Sequence, residues 1–209
     1  MRALKLFFIF LFCVLFCACA TLLSQNAKEP LRAYPVFLQS GETSAAFKFN
    51  IKSLSGHEYN AVLVLNKKEN SVKIKMLADF ATVLIDADLN NGNLTYNYVL
   101  GNMFDEKALE FLGDIIKIIL ISPRDFINAS NTPEGELRAN YRGGGFINRY
   151  YFKKEANYPY KLEQIRLTVR KKILFNDYRA YGDINLPREI ICEDGHNLVK
   201  ITLDLISLK

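Results

Sequence analysis

The side chains able to do chemistry are few and scattered. His57 and His196 are the only histidines, set in Ser55-Gly56-His57-Glu58 and Glu193-Asp194-Gly195-His196. Both are turn-type sequences with acidic neighbours and no metal-ligand spacing such as His-Glu-x-x-His, so the two read as solvated turn residues. Asp86 and Asp88 alternate, and Asp105, Glu106, Glu110 and Asp114 gather further on. A carboxylate pair for acid/base work would need two of these around one bond; surface charge accounts for them more simply. Gly143-Gly144-Gly145 is followed by Phe146 instead of Lys and Ser/Thr, which makes it a turn or hinge and not a phosphate loop, and no Gly-x-Ser-x-Gly elbow occurs. Of four cysteines, Cys13, Cys17 and Cys19 crowd the N-terminus and Cys192 stands alone. An exported chain with a disulfide framework would spread an even set along its length. Cys192 alternates with Ile190 and has no nearby His or Cys to activate it, so it reads as a buried small hydrophobe. No catalytic residue, metal or cofactor is expected from this inventory.

The N-terminal cysteines belong to a different pattern. Arg2 and Lys5 begin a short basic segment, residues 6–16 are almost unbroken apolar, and Ala18-Cys19-Ala20 ends the run in small residues. About a dozen apolar residues fall short of the roughly 20 that span a bilayer as a helix, so the segment reads as a cleaved signal peptide. Leu15-Phe16-Cys17-Ala18-Cys19 resembles the lipobox of bacterial lipoproteins, in which small residues precede a Cys that receives diacylglycerol. Phe16 stands where that family usually has Leu, and cleavage before Cys17 would put bulky Phe16 at the scission site, so Cys19 is the better lipidation site. The alternative is a plain secretory leader in which the cysteines are small hydrophobes. The lipobox resemblance implies acyl chains of the palmitate type on Cys19 and membrane lipid as a partner. Ala20 is not the Asp that retains such proteins at the inner membrane, so the implied location is the outer membrane facing the periplasm. Taking Arg2 and Lys5 from the 27 basic residues leaves 25 against 22 acidic ones. That +3 is too mild to argue for nucleic acid, and the basic, aromatic stretch 141–154 reads as an amphipathic strand instead.

Three segments follow: a signal peptide at 1–18, a lipidated N-terminus and polar tether at 19–42, and one folded domain at 43–209. Within the domain, period-2 alternation dominates. Phe47, Phe49 and Ile51 alternate with Lys48, Asn50 and Lys52, and Val72, Ile74 and Met76 with Ser71, Lys73 and Lys75. Residues 59–65, 82–89 and 94–98 are further strands, with turn signals at Ser55-Gly56, at 67–70 and at Asn90-Asn91-Gly92-Asn93. One helix is predicted over 105–121, opened by Asp105-Glu106 and carrying Ala108, Leu109, Leu112, Ile115, Ile116 and Ile119 at helical spacing. Phe111, Ile118, Leu120 and Ile121 widen its apolar face, so it must be covered on most sides. Pro123 ends it, and 128–135 reads as a polar loop. Strands are then expected at 146–153, 161–171, 172–181, 188–192 and 198–205, with turns at 157–159, 176–177, 185–187 and 193–195.

The expected fold is mainly β (α+β): a curved antiparallel sheet, or incomplete β-barrel, of about 10–11 strands closed by one hydrophobic helix. This layout, and the run Gly182-Asp183-Ile184-Asn185-Leu186-Pro187-Arg188-Glu189-Ile190 entering a penultimate strand before Asp194-Gly195, resembles the LolA/LolB-like lipoprotein-carrier superfamily. The resemblance implies a half-barrel whose apolar cavity binds acyl chains, lipid or a lipidated partner without catalysis. On that reading Phe47, Phe49, Ile51, Val72, Ile74 and Met76 line the cavity from the sheet, and Leu112, Ile115, Ile116 and Ile119 line it from the helix. The other reading is a structural or assembly lipoprotein that binds another envelope protein through its curved sheet, its interior being ordinary core. A monomer is expected under both.

Overall fold

The computed structural model describes residues 29, 30, 32, 34–38, 43–53, 58–101, 104–143, 145–165, 170–195 and 199–209. The leader, Cys19, His57 and His196 lie outside the described residues.

Twelve strands follow the period-2 segments. In chain order they are β1 (Ser44–Ser53), β2 (Glu58–Lys68), β3 (Ser71–Leu77), β4 (Val83–Asn90) and β5 (Asn93–Val99), then β6 (Phe126–Asn131), β7 (Leu137–Gly143), β8 (Phe146–Phe152), β9 (Lys161–Ile165), β10 (Arg170–Tyr181), β11 (Ile184–Asp194) and β12 (Val199–Leu208). One helix, α1 (Glu106–Leu120), separates the two groups. Strands consecutive in sequence pair as hairpins within each group, and β1 pairs with β12 to join two meanders into a single sheet. The edges of that sheet are β5 and β6, the two strands that flank α1 in the chain. They do not pair with each other, so the sheet stays open.

Register aligns the apolar residues in rows. Leu205, Phe47, Leu63, Met76 and Ile85 are consecutive partners across β12, β1, β2, β3 and β4, and Leu162, Ile173, Cys192, Ile201 and Ile51 make a second row across β9 to β1. The opposite face carries the charges: Lys73 and Lys75 lie 3.4 and 3.7 Å from the Asp86 carboxylate. The β4–β5 turn is Asn91-Gly92, with φ of 49° and 83° at its two central residues. Both positions need left-handed backbone for a two-residue hairpin turn whose twist suits the strands, which is why Asn-Gly occupies them.

Helix α1 begins and ends as its sequence dictates. The Asp105 carboxylate accepts a hydrogen bond from the Ala108 amide at 2.7 Å, capping the first turn, and Glu106 adds negative charge at the positive end of the helix dipole. The buried residues Leu112, Ile115, Ile116, Ile119 and Leu120 form one face.

Several boundaries differ from the sequence-based expectation. The stretch 128–135 is not simply a loop: β6 and β7 are an extra hairpin at the sheet edge. Its inward side carries modest residues, Phe126 and Ala129 against Tyr141 and Ala139, so no strong apolar alternation marks it. β10 runs straight through Asn176-Asp177, and the turn before β11 is at Gly182-Asp183 instead of 185–187. Pro187, opposite Tyr178 of β10, lies before the pairing of β11 to β12 begins at Glu189, so it interrupts no ladder on the β12 side. The strand expected over 161–171 is two pieces, β9 and the start of β10. Finally, residues 35–38, assigned to the tether, are buried in the core.

Candidate ligand-binding interior

The helix fixes the curvature of the sheet. Gly113 approaches β5 so closely that a Cβ there would sit 3.0 Å from Leu94 Cδ2 and 3.1 Å from the Tyr96 hydroxyl. The next residue, Asp114, is ion-paired with Lys171 of β10. β5 and β10 are seven strand spacings apart in the sheet, about 34 Å if it lay flat. A helix about 10–12 Å across touches both only if the sheet curls around it. The Tyr96 hydroxyl also donates to the Leu109 carbonyl at 2.7 Å, fastening the helix to the edge strand.

The ten residues expected to line a cavity pack in one hydrophobic cluster between sheet and helix. Phe47, Phe49, Ile74, Met76, Leu112, Ile115, Ile116 and Ile119 are each at most 3% exposed, while Ile51 and Val72 are half-buried against the same cluster. The sheet face and helix face identified separately therefore meet. Cys192 is buried among them, and burial pushes its thiol pKa up, which removes it as a nucleophile.

Two features escaped the sequence reading. The first is a strap, residues 34–38, lying on the inner face. Its Phe37 amide donates to the Ile119 carbonyl at 2.8 Å, and the Phe37 ring meets Phe47 edge-on with centroids 5.0 Å apart. Tyr34 makes edge contacts with Tyr141, Tyr150 and Phe152, and its hydroxyl is hydrogen-bonded to that of Tyr141, which donates to Glu29 at 3.0 Å. Burial raises the Tyr34 phenol to about 12 and also raises those of Tyr141 and Tyr150. Tyr34-Pro35-Val36-Phe37-Leu38 was the only available signal, an apolar patch inside a polar stretch.

The second is a polar row across the inner face. Tyr141, Asn148, Gln164 and Lys171 are successive register partners on β7, β8, β9 and β10. Lys171 is 9% exposed, its ammonium 5.2 Å from the Phe111 ring centre and 5.9 Å from that of Phe146. Asp114, grouped from the sequence with surface charge, is instead the partner of this buried cation. Asp86 and Asp88 do lie on the outer face, Asp86 beside two lysines and Asp88 accepting from Asn97 at 2.6 Å. Of the aromatic, basic stretch 141–154, Tyr141, Tyr150 and Phe152 are buried and the charged residues face outward, as an amphipathic strand requires. Among the described residues no cluster of His, Cys, Asp and Glu could hold a metal ion, and no helix is long and apolar enough to cross a membrane.

No protein-family model matches the sequence, and no curated protein matches it. Solved structures do resemble it. A LolA superfamily protein from Nitrosomonas europaea superposes with a TM-score of 0.58 at 12% identity, covering 83% of this chain and 88% of that one. A domain described as an outer membrane lipoprotein-sorting protein from Vibrio parahaemolyticus gives 0.48 at 11% identity over 83% and 86% of the two chains. A DUF1329 family protein from Desulfovibrio piger gives 0.47 at 8% identity over 81% and 86%. The first of these carries the fold assignment: this chain has a LolA-like fold, an open antiparallel sheet of twelve strands among the described residues, curled around helix α1.

Proposed function

We propose that the protein is a bacterial envelope lipoprotein, anchored through acyl chains on Cys19, whose half-barrel holds acyl chains, lipid or a lipidated partner between sheet and helix without catalysing a reaction. The observation that carries this reading is the open sheet. Its edges β5 and β6 do not pair with each other, so α1 can move away from the apolar face without breaking a strand ladder. The LolA-like fold supports it, and the apolar leader ending at Ala18-Cys19 supports the anchor and the outer-membrane, periplasm-facing location.

A second reading, a structural or assembly lipoprotein with a packed core, is favoured by the close burial of the same ten residues. Titration of a fluorescent fatty acid into the full chain, held in a fluorinated surfactant that does not compete for hydrocarbon sites, separates the two. Binding that phospholipid or lipopeptide displaces, and that Ile74→Trp weakens by filling the interior, supports the carrier. The absence of Trp from the chain makes that residue a unique reporter of the interior. A folded protein that leaves the probe free at high micromolar concentration supports the assembly reading.

A further inference from the structure

Gln164 sits on the inner face of β9 at 5% exposure, directly opposite Lys171. Its Nε2 donates to Asn148 Oδ1 at 3.2 Å. Its Oε1 is buried and, among the described residues, has no hydrogen-bond partner. Buried amide oxygens are rarely left without a donor, because the hydration lost on burial is not replaced. The facing cation does not supply one, since the Lys171 ammonium is turned to Asp114 and flanked by Phe111 and Phe146. One ladder step deeper the inner face is apolar, with Tyr150, Leu162 and Ile173 aligned as register partners. The boundary between a polar row and an apolar row thus falls two residues from the end of β9 at Ile165.

We propose that Gln164, with Asn148 and the Lys171–Asp114 pair, is the headgroup subsite of the acyl site, taking an amphiphile whose head bears an N–H or O–H donor beside an acceptor. This inference rests on the acyl-binding reading above and names the ligand class. The donor satisfies Gln164 Oε1, the acceptor meets the Lys171 ammonium, and the chains lie along Leu162 and Ile173. A free carboxylate suits the site poorly. It has no donor for Oε1, and Asp114 already neutralises the lysine. Two heads carry the required chemistry, an N-acyl amide and a glycerol hydroxyl.

The test is competition against a bound fluorescent fatty acid, using the full chain in fluorinated surfactant and pairs of probes that differ only in the donor. The pairs are N-methylpalmitamide against N,N-dimethylpalmitamide, and monopalmitoylglycerol against its 2,3-di-O-methyl ether. The donor-bearing member of at least one pair is expected to bind about tenfold tighter, one hydrogen bond's worth of discrimination. A preference in the first pair alone identifies an amide head, and one in the second alone identifies a glycerol head. Gln164→Met should bring the ratio to about one, whereas Gln164→Glu, which keeps an acceptor, should retain it. Should Gln164→Met not fold, Gln164→Ser, which lacks an acceptor at that reach, is read in the same way. A fatty acid that binds while both ratios stay at one in the wild type, or a ratio that survives Gln164→Met, overturns the subsite and leaves the carrier reading standing. Failure of every probe, the fatty acid included, removes the carrier reading itself.

Discussion

The ion pair between Asp114 of α1 and Lys171 of β10 joins residues 57 positions apart in the chain and holds the helix against the sheet. Its side chains are 17% and 11% exposed, respectively, so each charge has lost most of its water. Asp114→Ala leaves the ammonium enclosed by Phe111 and Phe146 with no counter-charge. Removing one partner of a buried pair costs about 3–5 kcal/mol. The residual exposure places this case at the lower end, about 3 kcal/mol. Lys171→Met leaves the somewhat more exposed carboxylate, which water reaches more easily, and about 2 kcal/mol is expected. The double variant leaves no stranded charge, so its loss should be only about 1–2 kcal/mol, giving a coupling of roughly 3 kcal/mol or more. Asp86→Ala, which breaks pairs whose lysines, Lys73 and Lys75, are 46% and 40% exposed, should cost less than about 1 kcal/mol. Urea unfolding of the four variants, followed by far-UV circular dichroism, measures all of these. A coupling below about 0.5 kcal/mol would show that the pair does not clasp helix to sheet.

Ile116 is fully buried at the centre of the helix face, so Ile116→Asp should cost several kcal/mol and unfold the domain; a melting curve like that of the wild type would mean this face is exposed. Burial raises the Tyr34 phenol from 10.0 to about 12, and those of Tyr141, Tyr150 and Tyr178 move the same way. The unfolded chain therefore loses these protons first, and stability that is full below pH 10 should fall as pH rises toward 12 and beyond. Thermal melts at pH 8, 10 and 11 check the sign, and a melting temperature unchanged across that span would contradict the burial. Cys19→Ala should abolish metabolic labelling with an acyl precursor, whereas labelling that persists would move the anchor elsewhere or remove it.

What was legible in the sequence was what local chemistry fixes. Asn91-Gly92 needed no tertiary information to be a turn, nor did Asp105-Glu106 to mark the start of a helix, because each acts on the backbone beside it. The inner faces of β1, β3 and α1 were likewise visible, since bulky apolar residues at periods of 2 and about 3.6 have one economical arrangement. The β6–β7 hairpin was hidden by its position at an edge, where Asn128 and Asn131 are exposed and only small or single aromatic residues turn inward. Lys171 and Asp114 were hidden for another reason. A lysine and an aspartate each read as solvent-facing until the fold brings them together, and nothing near either residue announces the other. The strap was masked by its polar neighbours, although Val36, Phe37 and Leu38 are as deeply buried as the strands they cover.

The space between sheet and helix is proposed to hold acyl chains. Native mass spectrometry of the full chain, released from surfactant in the gas phase, tests it most directly. Acyl groups on Cys19 are covalent and stay with the protein on collisional activation, whereas a bound lipid leaves. An acyl-holding interior should give a population carrying an extra lipid-sized mass that dissociates on activation and is depleted in Ile74→Trp. A folded chain that carries no releasable mass, and takes none up when offered N-acyl and glycerol-linked lipids, would contradict it.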